Sequence, residues 1–168
     1  MRELVKSKLE DSWRECVKHI YHLSCALADL QKIGTLTKER YAILSDEEIR
    51  TLDQFVFRFS KLQDAVGVRL FSSILEYLEE PYVGRPMIDK LNRLEKLGFI
   101  ESVEQWHILR EIRNRFSHVY PDNAEKNAAL LRLAMASVQD LKNLLQIIFL
   151  RMTERDPTLQ LVILPNQN

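Results

Sequence analysis

The sequence predicts an all-α fold: an up-and-down bundle of four to five helices that opens on two long ones. Three observations carry this. Apolar residues recur every three or four positions over long stretches, which is the spacing of one helical face and not of a strand. The 168 residues include only four Gly and five Pro, so long helices with short connections are favoured over a strand-rich fold. Where Gly, Pro and capping residues do occur, they fall at the ends of the periodic stretches.

The first helix is expected over residues 3–32. Leu9, Trp13, Val17, Ile20, Leu23, Leu27 and Leu30 keep helical spacing there, and Gly34 ends it. A loop or short helix follows over residues 35–44. Ser45 and Glu48 then make a capping box with acids in the first turn, and a second long helix is expected from there to about residue 79. Leu52, Phe55, Phe59, Leu62, Val66, Leu70, Ile74 and Leu78 draw one apolar stripe along it, close to a coiled-coil seam. A stripe that long needs a partner of equal length. Gly67 interrupts it at a cost of about 1 kcal/mol relative to Ala in a helix interior, so a kink or a close helix approach is expected there.

Pro81 stops this helix, and residues 82–85 read as a loop. Pro86 suits the first position of a third, shorter helix ending near Leu97, with Gly98 as its C-terminal cap. Ser102 and Gln105 form a second capping box and open the next helix, which should end at about Val119 because Pro121 biases Tyr120 away from the helical region. Asp122 or Asn123 caps the last helix. It should reach about Met152, with Leu130, Leu133, Met135, Val138, Leu141, Leu145, Ile148 and Phe149 inside. Residues 1–156 read as a single domain, and residues 157–168 as an apolar tail expected to pack on it.

Composition narrows the function. Hydrophobic residues at 46% and charged ones at 29% are ordinary for a globular chain long enough to bury a core. Acids and bases cancel at 24 each, so no global basic field drives non-specific nucleic-acid binding, which counts against a coating or scanning role. A cleft lined by a few converging Arg side chains is still compatible with that balance. Cys16 and Cys25 are nine apart, matching neither a redox pair nor a zinc knuckle, and both are expected in the core. Glu15, His19 and His22 recur along one helical face, but no further ligand cluster accompanies them and no metal is expected. No glycine-rich phosphate loop, paired-carboxylate motif or DNA-recognition motif is present, so no cofactor is expected. Residues 1–6 lack a signal-peptide run and no stretch approaches a membrane span, so a cytoplasmic location without a membrane partner is expected.

The stretch over residues 109–120 is the one suited to chemistry. On a helix, Leu109, Ile112, Phe116 and Val119 fall on one buried side, and Arg110, Arg113, Asn114, Ser117 and His118 form an opposite stripe about 140° wide. Every member of that stripe except Ser117 is bulky, polar and able to bind an anion. Arg113 and His118 flank it, and Asn114 sits one turn before His118, close enough to fix the imidazole. A cation is favoured at the C-terminal end of a helix, which would help His118 act as an acid. Glu111 and Arg115 are spaced for an ordinary ion pair, and a charged helix face is most often simply solvated. Arg58, Lys61 and Arg69 are the local candidates for a basic wall beside this stripe, and Trp106 is expected in the core or at its rim.

Such a set suits phosphodiester cleavage without a metal. A guanidinium neutralises the charge that builds on phosphate, and an imidazole takes a proton from a ribose 2′-hydroxyl or gives one to the leaving oxygen. One His cannot do both at once, so a two-fold homodimer that brings two stripes together is expected.

Arg113 directly followed by Asn114, with His118 and Tyr120 at the same spacing, resembles the signature of HEPN ribonuclease toxins of the HepT type, in the HEPN/MNT toxin–antitoxin family. Residues 58–64, with Gly67 after them, resemble a segment of the same proteins, and the likeness spans most of the chain. The resemblance implies an endoribonuclease that cleaves RNA in a dimer-interface cleft, with Arg113, Asn114 and His118 catalytic. Arg110, Arg115 and Ser117 would guide the strand. It also implies a partner, a small nucleotidyltransferase antitoxin of the MNT type that can transfer AMP onto Tyr120. The alternative is a non-catalytic HEPN-like partner of a nucleotidyltransferase, offering a binding cleft only.

Overall fold

Helix α1 runs over Arg2–Lys32, and its apolar face is the floor of the molecule: Leu9, Trp13, Cys16, Ile20, Leu23, Ala26 and Leu30 are all buried. The chain then reverses at Gly34, whose φ of 88° is a conformation that side-chain-bearing residues avoid. A short α2 (Lys38–Ala42), capped by the Thr37 hydroxyl, leads to α3 (Asp46–Asp64). The Ser45–Glu48 capping box forms in both directions, as the sequence predicts. In this computed structural model, residues 1–118 and 123–165 are described, and they contain helices and no strand.

The second long helix is not a plain α-helix. Six residues, Ala65–Leu70, adopt a π turn before α4 (Phe71–Tyr77) completes the rod. The stripe explains why. From Leu62 onward the inward residues Leu62, Val66, Leu70, Ile74 and Leu78 are each four apart. On α geometry each such step rotates the stripe by about 40°. A π turn closes i→i+5 and so absorbs an extra residue, which returns the stripe toward α1. All eight stripe positions are buried or packed on the core, and α1 is the partner of matching length: it contacts α3, the π turn and α4 in succession. Gly67 marks a close approach, with the indole of Trp106 lying where its side chain would be.

Helix α5 (Met87–Lys96) has Pro86 as its N-cap instead of its first residue, and Gly98 turns the chain at φ 77°. Helix α6 (Val103–Arg115) is capped by Ser102, whose hydroxyl accepts from the Gln105 amide at 3.0 Å. Helix α7 (Ala124–Arg155) is capped by Asn123; Asp122, the other expected cap, lies outside the described residues. Ten residues of α7 are buried, but Leu133, expected inside, is exposed. Against expectation, α7 is also long and apolar enough to cross a membrane by length and composition, with a window of mean hydropathy 1.2. Here its apolar face is spent on the core.

The tail packs on its own chain. Leu159 and Leu161 are buried, Trp13 Nε1 donates to the Val162 carbonyl at 2.9 Å, and the Gln160 amide donates to Glu10 at 2.8 Å. Cys16 is buried as expected, but Cys25 is exposed.

Candidate functional site

Two aromatic contacts, one buried and one half-buried, set the position of α6. At its start Trp106 packs edge-on against Phe71, with centroids 4.8 Å apart, and against Gly67 of the π turn. At its end Phe116 meets Phe59 of α3 edge-on at 5.6 Å. With Leu109 and Ile112 buried between them, α6 lies antiparallel along α3, and Trp106 is a core residue as expected.

The helix is shorter than expected. It stops at Arg115, and the chain tightens into i→i−3 bonds, from Phe116 to Arg113 and from Ser117 to Asn114 at 3.2 Å each and from His118 to Arg115 at 3.1 Å. Ser117 also turns its hydroxyl back onto the Asn114 carbonyl at 2.5 Å, so that this carbonyl near the helix end accepts from both the amide and the hydroxyl of Ser117. His118 therefore stands beyond the helix and does not stack one turn above Asn114. No hydrogen bond joins the Asn114 side chain to His118, nor does an ion pair join Glu111 to Arg115, among the described residues. Tyr120, the expected modification site, and Val119 lie outside the described residues.

The stripe read from the sequence divides into two parts in one protomer. Arg110 Nη1 donates to Asp64 Oδ1 at 2.9 Å, and Arg113 Nη2 donates to Asp64 Oδ2 at 3.0 Å. Burial works to raise the Asp64 carboxyl. The bonds from Arg110 and Arg113 outweigh it and hold the group below the ordinary carboxylate range, so Asp64 is ionised at neutral pH. Two guanidiniums on one carboxylate leave a net positive charge.

His118 faces elsewhere, into a groove of about 300 Å³ lined by Tyr41, Asp53, Phe57, Arg115 and Phe116 among others. Here Arg115, not Arg113, is the cation beside the imidazole. His118 is exposed, which leaves its ring accessible to a substrate.

Phe57 connects the two parts. It is exposed and lines the groove, and the cations of Arg58 and Lys61 lie 5.4 and 5.7 Å from its ring centre. Lys61 stands one turn before Asp64 on α3. Of the expected basic wall, Lys61 lies over the Phe57 ring and makes no hydrogen bond or ion pair among the described residues. Arg69 is paired with Glu15, and Arg58 donates to His19 Nδ1 at 3.1 Å.

His19, which shares a helical face with Glu15 and His22, is buried. Arg has only donors, so its contact fixes His19 Nδ1 as an acceptor and the ring as the neutral Nε2–H tautomer. Burial, and then the Arg58 charge, push its pKa below the ordinary histidine value. Sequence reasoning assigned no role to Asp64 or Phe57. The signal for Asp64 was an acid one helical turn after Lys61; for His19 it was a place on the α1 face between Cys16 and Leu23. The described residues hold no group of three or more His, Cys, Asp or Glu placed to bind a metal.

Comparisons with protein-family models, with curated proteins and with solved structures return no match.

Proposed function

We propose that this chain is a metal-independent endoribonuclease toxin of the HEPN type. In this reading it is an up-and-down helical bundle that works as a two-fold homodimer and is neutralised by a nucleotidyltransferase antitoxin. The observation that carries the proposal is an exposed imidazole, His118, just beyond the end of α6, lining with Arg115 a groove of about 300 Å³ and five residues after Arg113. The resemblance of this stretch to the HepT signature supports the same roles. One His118 takes the proton of the ribose 2′-hydroxyl as that oxygen attacks phosphorus, the second protomer's His118 gives a proton to the departing 5′ oxygen, and Arg113 stabilises charge on the phosphate. Asn114, at the end of α6, meets the substrate or the second protomer instead of its own His118. Arg110, Arg115 and Ser117 guide the strand, and Tyr120 receives the inhibitory AMP. RNA and the antitoxin meet this protein in the cytoplasm.

A second reading, a non-catalytic binding partner of a nucleotidyltransferase, is favoured by one observation: Arg113 is engaged by Asp64 and does not line the groove that holds His118. Expression of wild type, His118→Ala and Arg113→Ala in a growing bacterium separates the two. The nuclease reading expects growth arrest with cleaved RNA for the wild type alone. Arrest by none of the three, with soluble protein present, overturns it in favour of the binding partner.

A further inference from the structure

A carboxylate gripped by two guanidiniums occupies the position that a phosphate would take. The two oxygens of Asp64 are divided between Arg110 and Arg113, at 2.9 and 3.0 Å, as two non-bridging phosphate oxygens would be. The cradle is not sealed: the side chains of Arg110, Asp64 and Arg113 keep 32%, 30% and 28% of their exposure. Its donors are also not used up. Arg113 Nε is buried without a partner, and each guanidinium carries five N–H groups, of which the carboxylate takes one.

We propose that Asp64 is an intramolecular competitor for a phosphodiester, a resident anion that keeps Arg110 and Arg113 forked and yields when a nucleic-acid strand enters. The identity of the ligand rests on the ribonuclease reading; the competition itself does not require cleavage. Asp64 lies on α3 and the two arginines on α6, so the contact also ties the helices together. Its release is therefore local, by rotation of one short side chain, and leaves the aromatic contacts at Phe59 and Phe71 in place.

The test measures binding of a labelled single-stranded 2′-deoxyoligonucleotide, which has no 2′-hydroxyl to attack, to the full chain carrying Asp64→Asn. Asn keeps the shape and one acceptor oxygen while removing the charge. One more phosphate neutralised at 0.1 M salt corresponds to roughly fivefold tighter binding and a log–log salt slope steeper by about 0.7. Asp64→Ala should shift affinity in the same direction, and Arg110→Gln in the Asp64→Asn background should cancel the gain. Unchanged or weaker binding by both Asp64 variants, with melting curves showing folded protein, overturns the proposal: Asp64 would then position the arginines instead of competing for them. Failure of the growth test with a gain for Asp64→Asn would remove cleavage and leave the anion fork standing.

Discussion

Gly67→Ala isolates the contact that seats α6 on the π turn. A Cβ at this position would lie 2.9 Å from Trp106 Cζ2 and 3.6 Å from Cη2. Carbon atoms rest comfortably at about 3.5–4.0 Å, so the indole must withdraw by at least about 0.6 Å. Trp106 is 5% exposed and wedged against Phe71, which leaves it little room to withdraw. Two effects oppose each other. Ala gains about 1 kcal/mol over Gly in helical backbone, while forcing a methyl into a filled core costs about 1–3 kcal/mol. The net expectation is a loss of about 1 kcal/mol, a fall in Tm of about 2–4 °C for a chain of this size.

The sign in a second background is the sharper measurement. Trp106→Phe removes the ring edge nearest Gly67, so only the propensity gain should remain and Gly67→Ala should then raise Tm. Thermal melts of the four proteins by circular dichroism complete the cycle. An equal Tm change in both backgrounds would refute the steric account of Gly67 and of the approach between α6 and the π turn.

Acidification should destabilise the protein through His19. Its folded pKa lies below the ordinary 6.5, so between the two values the unfolded chain binds more protons and stability rises with pH. The His19 contribution is therefore undiminished above about pH 6.5 and falls away as the pH drops below it; His19→Gln should flatten that slope in urea titrations from pH 7.5 to 5. The two cysteines should separate cleanly by reactivity. Burial pushes the Cys16 thiol far up while Cys25 is exposed, so a chromogenic disulfide reagent should titrate one thiol in native protein and two in guanidinium chloride.

The fold was legible wherever one residue type decides one local outcome. Ser45 with Glu48, Gly34, Gly98 and Asn123 end or begin helices because their side chains, or the lack of one, satisfy the backbone where the helix cannot. The apolar stripe of the second helix was legible as a stripe, and the run of four-residue steps after Leu62 already contained the π turn, since no straight α-helix keeps such a run on one face. The end of α6 was not legible from Pro121. Ser117 and the i→i−3 bonds close the helix earlier, and a hydroxyl that caps a carbonyl leaves no apolar periodicity to detect. The candidate site was legible as a set of side chains but not as an arrangement, because the partner of Arg110 and Arg113 is a single Asp on a helix some 46 to 49 residues earlier. Helical spacing within one element carries no information about such a pairing.

That pairing determines what a second protomer would have to supply. His118 stands three residues beyond the end of α6, while Arg113 is still on the helix. Arg113 is engaged with Asp64 and does not line the groove that holds His118. Phe57 is exposed, carries Lys61 over its ring and lines the His118 groove. A strand crossing this surface would have one phosphate to exchange against Asp64 and one base to lay against Phe57, and both exchanges favour a single strand, whose bases and backbone are free to separate. In the proposed dimer a second copy would add another imidazole without adding another competitor to the first fork. On the proposed nuclease reading, a dimer would supply both a proton acceptor and a proton donor, and the substrate itself would release the arginine.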